Sequence, residues 1–332
     1  RRQHYRQFER EDFMTIKVLK VGGFFPSVAE DLAKEFDVVE AADRDAFAAM
    51  SETELADVQG FATFGWAPKD VMERMPALKI VSSFGVGYDG VAADHAAEAG
   101  IMVTHTPNVL NDDVANLAIA LILMTDRRLV WNDRYVREGR WEKEGNTPLT
   151  RSIRGKKVGI VGLGRIGEAI AEKLSVFKCE TVYHSRNEKS GVPYTYFGNL
   201  TEMAEACDIL VAITPGGPAT DKLINRGVMD ALGPQGTLIN IARGSVVDEA
   251  EMILALQEGR LGAAGLDVFE KEPIVPEALY AMDNVVLTPH VASATVETRQ
   301  DMSDLVVENL VTFFKTGNPV APVPETAHLA KS

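Results

Sequence analysis

From Thr15 onward, short apolar runs alternate with longer stretches whose apolar residues recur at helical spacing. The runs Ile16–Val21, Val38–Glu40, Gly60–Thr63, Leu78–Ser82 and Met102–His105 have the length and β-branched content of buried strands. Between them, Pro26–Glu35, Asp45–Leu55, Pro68–Met75 and Asp89–Ala99 read as helices. Such alternation predicts a parallel sheet covered by helices. A longer helical stretch, Asn111–Glu138, follows the turn Thr106-Pro107-Asn108 and gives way to the polar segment Glu142–Arg154. A second series of runs then begins: Val158–Val161, Thr181–His184, Ile209–Ile213, Thr237–Ile241, Ala263–Asp267 and Val285–Thr288. The last helix, Ala294–Thr316, comes after that whole second series, so it is expected to return to the first sheet and make the first domain discontinuous.

The second series opens on Val158-Gly159-Ile160-Val161-Gly162-Leu163-Gly164-Arg165-Ile166-Gly167. A G-x-G-x-x-G run between a strand and a helix meets three needs: a tight turn, close approach of backbone to a pyrophosphate, and close packing of the helix. Gly162, Gly164 and Gly167 fit those positions in that order. Free N–H groups and the positive end of the helix dipole near Gly164 would hold phosphate. At the end of the next strand an NAD site carries an acid for the ribose hydroxyls. Here His184-Ser185-Arg186 stands instead. Arg186 offers a planar cation for a 2′-phosphate, so the expected cofactor is NADP(H), with NAD(H) bound more weakly. A solvated loop arginine is the plain alternative.

The expected fold is therefore α/β with two doubly wound parallel-sheet domains. Residues 106–292 form a Rossmann-type nucleotide domain of six strands, and 14–105 with 293–332 form a smaller, flavodoxin-like substrate domain. A ligand is expected in a cleft between them, outside the carboxyl ends of both sheets.

Three residues follow strands of the second series and could act on a carbonyl compound. Arg243, in Ile241-Ala242-Arg243-Gly244, can bind carboxylate and ketone oxygens together. His290, in Thr288-Pro289-His290, suits proton transfer near neutral pH. Glu272, ahead of Pro273, could hydrogen-bond the other imidazole nitrogen and orient the ring. Taken singly, a surface arginine and a structural histidine are the ordinary alternatives.

With these residues in view, the chain resembles the D-isomer-specific 2-hydroxyacid dehydrogenases, and within them the glyoxylate/hydroxypyruvate reductase branch. The resemblance runs from about Ile16 to Phe314. It rests on Phe84-Gly85-Val86-Gly87-Tyr88-Asp89, the glycine run, Ala242-Arg243-Gly244, Asp267-Val268-Phe269 with Glu272-Pro273, and Thr288-Pro289-His290. It implies reduction of small 2-oxo acids such as glyoxylate and hydroxypyruvate, with Arg243, Glu272 and His290 as the catalytic set and His290 as the acid/base. It implies that the N–H groups of Val86 and Gly87 receive the substrate carboxylate. Thr214-Pro215, Ile241-Ala242 and Asp267 would line the cofactor, Asp267 near the nicotinamide amide, and Ser185-Arg186 matches the branch's preference for NADPH. Two departures occur. Ala292 stands where relatives often have Gly, and Asn111 opens a helix where they often have Thr, with Asn expected to cap it equally well.

Relatives are typically dimers, which implies a homodimer joined through Asn111–Glu138 with Trp131 and Trp141 at the contact. The plain alternative is that both tryptophans fill the chain's own core. Trp66, after a strand of the first series, would limit substrate size or simply close a loop. Rival readings keep the chemistry on a bulkier acid, phenylpyruvate-type or 2-ketogluconate, or make the protein a dinucleotide-sensing corepressor-like partner protein.

A net charge of −14 argues against nucleic acid or an anionic membrane as partner. The longest apolar run, Leu117–Met124, is too short to span a bilayer. Only two cysteines occur, Cys179 and Cys207, with no metal-ligand spacing; they are expected to be buried, reduced and cytosolic, with no metal site. Residues 1–13 are polar and read as a leader outside the fold.

Overall fold

The computed structural model describes residues 15–23 and 27–330. The reading of residues 1–13 lies outside that range. Contacts divide the chain into two units, one ending at Val109 and resuming at Val296, the other spanning Leu110–Thr295.

The first unit holds strands β1 (Lys17–Val21), β2 (Asp37–Ala41), β3 (Val58–Thr63), β4 (Ile80–Ser83) and β5 (Met102–Thr104). All pair in parallel in the order β2-β1-β3-β4-β5. Side chains of β4 and β5, and all but Gln59 of β3, are buried, so these strands show no alternation of apolar and polar faces. The Val296–Thr316 helix belongs to this unit, with Ser82 Oγ donating to Val306 O at 3.0 Å. Two expectations change here. The helix foreseen over Asp45–Leu55 is two short ones, Arg44–Ala48 and Glu52–Leu55, because Ser51 and Glu54 form a capping box that restarts the turn. The stretch Asp89–Ala99 begins as a two-residue strand, Gly90–Val91, paired with Trp66–Ala67, and is helical only over Ala93–Glu98.

The second unit carries β6 (Lys157–Val161), β7 (Glu180–His184), β8 (Thr195–Tyr196), β9 (Ile209–Ala212), β10 (Thr237–Asn240), β11 (Ala263–Leu266) and β12 (Val285–Leu287). Their order is β8-β7-β6-β9-β10-β11-β12. This sheet has seven strands where six were expected; β8 is two residues long, too short to show any periodicity. The order reverses between β6 and β9, and that switch point opens a crevice at the carboxyl ends of the strands.

The long helix expected over Asn111–Glu138 is broken. Asn111–Asp126 and Leu129–Arg137 meet at Arg128, whose φ of 48° is left-handed and ends the first helix without glycine. Asn111 is the first helical residue, and the cap position falls on Leu110 with no side-chain bond, so the expected Asn cap is absent. Neither Trp131 nor Trp141 fills the core: Trp131 is half-buried against Tyr135, and Trp141 is exposed. Cys207 is buried, whereas Cys179 is only half-buried. No helix of the described residues is long and apolar enough to cross a membrane.

Candidate active site

The three glycines of the β6 turn have three separate reasons. Gly162 sits at φ +105°, where a side chain is strained, and a Cβ there would lie 3.0 Å from Ile213 O across the crevice. At Gly167 a Cβ would lie 2.3 Å from Gly162 O, so only glycine lets the helix close on the turn. Gly164 meets no protein atom within 4 Å. It needs no glycine for the fold, and its open face is the cradle that a side chain would fill. The Arg165–Val176 helix starts there with no side-chain cap, leaving its first N–H groups for a ligand. Across the switch point, Thr214 Oγ1 is buried without a partner. An orphaned hydroxyl beside an uncapped helix and an open glycine fits a bound dinucleotide. Leu163, Ile241 and Ala242 are buried behind the crevice, while Arg165 and Pro215 are exposed.

At the end of β7, His184 has a structural role, its Nδ1 lying 2.8 Å from Phe197 O. Ser185 Oγ donates to Asn187 O at 2.6 Å, shaping the turn. Arg186 is exposed and forms no ion pair among the described residues, so its guanidinium is available to an anion. Sequence reasoning missed Lys189, whose Nζ lies 2.7 Å from Glu168 and 3.5 Å from Leu163 O, against the glycine turn itself. Its only sequence signal was a cation shortly after the second strand.

His290, Glu272 and Arg243 all belong to the second unit. His290 Nδ1 is 2.8 Å from Glu272 Oε2, and Glu272 Oε1 accepts from Phe269 N at 3.0 Å. The carboxylate is thus fixed at both oxygens and in turn fixes the imidazole. His290 keeps a side-chain exposure of 48%, so with Nδ1 bound to Glu272 its Nε2 is the nitrogen left to meet a substrate. Burial pushes the Glu272 carboxyl up, but the bonds from His290 and Phe269 N, with the charges of His290 and Arg243, outweigh it and hold the group below the usual carboxylate value. It is therefore an anion at neutral pH.

The backbone around Arg243 is equally constrained. Asn240 Nδ2 donates to Arg243 O at 3.0 Å, and Ala242 N donates to Asn240 Oδ1 at 3.1 Å. A Cβ at Gly244 would lie 2.0 Å from Phe269 C, so the Arg-Gly pair is what lets this turn press against the Glu272 loop. Asp267 is completely buried and accepts from Thr288 Oγ1 at 2.6 Å, Val291 N at 2.9 Å and Ala292 N at 3.0 Å. Those bonds commit it to the loop that carries His290, itself held at φ 52°. Asn240 and Thr288, neither singled out from sequence, are thus the supports of Arg243 and His290.

In the first unit, Gly85 at φ +136° turns the chain after β4, with Gly85 N donating to Thr106 Oγ1 at 2.9 Å. The following N–H groups of Val86 and Gly87 find no acceptor among the described residues. Trp66 and Phe64 line a separate cleft of about 530 Å³ at the ends of β1 and β3, with Gly22, Gly23 and Arg44. That is the switch point of the smaller sheet.

Comparison with known proteins gives the family. The family described as D-isomer specific 2-hydroxyacid dehydrogenase, NAD binding domain, matches residues 119–292. A hydroxyphenylpyruvate reductase of Plectranthus scutellarioides is 50% identical over 295 residues, 88% of this chain and 93% of that protein. A glyoxylate/hydroxypyruvate reductase of Arabidopsis thaliana is 52% identical over 266 residues, 80% of this chain and 84% of that protein. Among solved structures, an NADPH-dependent glyoxylate/hydroxypyruvate reductase of Sinorhizobium meliloti, in complex with NADP and malonate, superposes with a TM-score of 0.91 at 48% identity, covering 94% of this chain and 98% of that one. Likeness along nearly the whole chain to such proteins, in a chain that also carries an open dinucleotide turn, makes it a member of the D-isomer-specific 2-hydroxyacid dehydrogenases, in their glyoxylate/hydroxypyruvate reductase branch.

Proposed function

We propose that the protein reduces small 2-oxo acids, glyoxylate and hydroxypyruvate, to 2-hydroxy acids at the expense of NADPH. The observation that carries the chemistry is the 2.8 Å bond from Glu272 to His290 Nδ1, which leaves Nε2 as the proton donor. A nicotinamide bound at the glycine turn would supply the hydride for the carbonyl carbon. Arg243 binds the ketone oxygen and stabilises the charge that gathers there. His290 Nε2 gives its proton to that oxygen, and Glu272 stabilises the ring through the change of charge. The N–H groups of Val86 and Gly87 receive the carboxylate. Arg186, with no protein anion of its own, favours the cofactor with a 2′-phosphate.

A second reading keeps this chemistry on a bulkier acid. It is supported by the 50% identity, over 88% of this chain, with a hydroxyphenylpyruvate reductase. Initial rates of NADPH and NADH oxidation across glyoxylate, hydroxypyruvate, phenylpyruvate and 2-ketogluconate decide between them. Fastest turnover of the two small acids with NADPH supports the first reading, and a clear preference for phenylpyruvate or 2-ketogluconate supports the second. No turnover of any acid would refute both.

The same proposal extends to a homodimer formed through Leu129–Arg137 and its neighbours. Leu129, Val130, Val136 and Trp141 are large apolar side chains left 44–58% exposed on adjacent short helices.

A further inference from the structure

The Val296–Thr316 helix buries Thr298, Met302, Ser303, Val306, Asn309 and Leu310. Arg299 stands three, four and seven residues before Met302, Ser303 and Val306, so helical spacing puts a guanidinium on the inward-facing side. An apolar residue would cost nothing there. Instead the Arg299 guanidinium lies 5.4 Å from the ring centre of Phe84 and 5.6 Å from that of Phe64, two rings stacked 5.0 Å apart. Burial alone lowers its pKa, with no carboxylate to oppose the shift. Among the described residues, no side chain or backbone oxygen accepts a hydrogen bond from it. A half-buried cation over two aromatic rings, with no hydrogen-bond acceptor among the described residues, is an arrangement that an anion completes.

Phe84 is the residue immediately before the Gly85-Val86-Gly87 turn, whose two N–H groups also lack acceptors. Backbone N–H groups are neutral donors, so alone they would hold an anion weakly against a protein of net charge −14. We propose that Arg299 supplies the positive charge for the substrate carboxylate, acting beside the N–H groups of Val86 and Gly87 within the first unit. This rests on the reading of the protein as a 2-oxo acid reductase. It adds a binding residue that no motif of the sequence pointed to, because the arginine lies in a helix far along the chain from the turn it serves.

The test uses the full chain with NADPH, comparing wild type, Arg299→Gln and Arg299→Lys on hydroxypyruvate, glyoxylate and methyl glyoxylate. Loss of a charged hydrogen bond predicts that Arg299→Gln raises KM for the two acids about 10- to 100-fold while kcat stays close to wild type. The neutral ester should be unaffected, and Arg299→Lys should recover part of the loss because it keeps the charge but not the flat fork. Binding of oxamate, a non-reacting carboxylate, should weaken in parallel. Equal losses on acid and ester, a fall in kcat at constant KM, or unchanged KM in Arg299→Gln would each overturn the proposal. Should wild type turn over none of the substrates, the reductase reading fails; oxamate binding still tests the anion site, since Arg299→Gln binding oxamate as well as wild type overturns it. A thermal melt of each variant separates misfolding from lost binding, and Arg299→Lys carries the test if the Gln variant does not fold.

Discussion

Glu272 holds the His290 ring through a bond of 2.8 Å to Nδ1. Replacing it with Gln keeps the size but removes the anion. The limb of the pH–rate profile that needs a protonated donor should then move to lower pH, with kcat falling across the neutral range; an unmoved limb would show that the carboxylate only positions the ring. The same group links stability to pH. Its folded-state value lies below the ordinary 4.5, so its contribution is complete above that value and is lost as the pH falls through the lower, folded-state one. Acid unfolding of Glu272→Gln should lack that component. Arg186 gives the second residue-scale prediction. Arg186→Ala should weaken NADPH about 10- to 100-fold and leave NADH almost untouched, measured by fluorescence titration; equal losses would mean that the side chain is only a loop residue. Arg243, Glu272, His290 and the glycines stand out in the sequence because each belongs to a short motif that follows a strand. Asn240, Lys189 and Arg299 do not, since each makes a contact that only the fold creates.

At the scale of elements, the glycine turn predicts a contrast between two neighbouring substitutions. Gly167→Ala places a methyl 2.3 Å from Gly162 O, a backbone atom that cannot step aside. It should cost about 1–3 kcal/mol of stability and lower Tm in a thermal melt. Gly164→Ala meets no protein atom within 4 Å, so it should melt like wild type yet bind dinucleotide poorly. If the two variants behaved alike, the separate reasons given for these glycines would be wrong. Strands were most legible in the sequence where they are buried on both faces and uniformly apolar, as in β9. Helix ends were less legible. The break at Arg128 uses a left-handed arginine, for which there is no glycine or proline to read, and the restart at Ser51 depends on a capping box inside an otherwise helical pattern.

For the whole molecule, the chain leaves the first unit at Val109 and returns to it at Val296. The expectation of that return rests on one feature of the sequence, a long helix left over after a complete sheet. The exposed apolar side chains at Leu129, Val130, Val136 and Trp141 predict that light scattering of the purified protein gives twice the chain mass. Replacing Val130 and Trp141 with charged residues should then yield monomers, and a monomeric wild type would contradict the proposed dimer. The central claim is that this site reduces a 2-oxo acid with His290 as proton donor. Its most direct measurement is kcat/KM for NADPH-linked reduction of hydroxypyruvate by wild type and His290→Ala, with NADPH affinity measured in parallel. With His290 as proton donor, His290→Ala should lose roughly 10²- to 10⁴-fold with cofactor affinity nearly intact. His290→Ala turning over at the wild-type rate, or losing NADPH in proportion to activity, would contradict it.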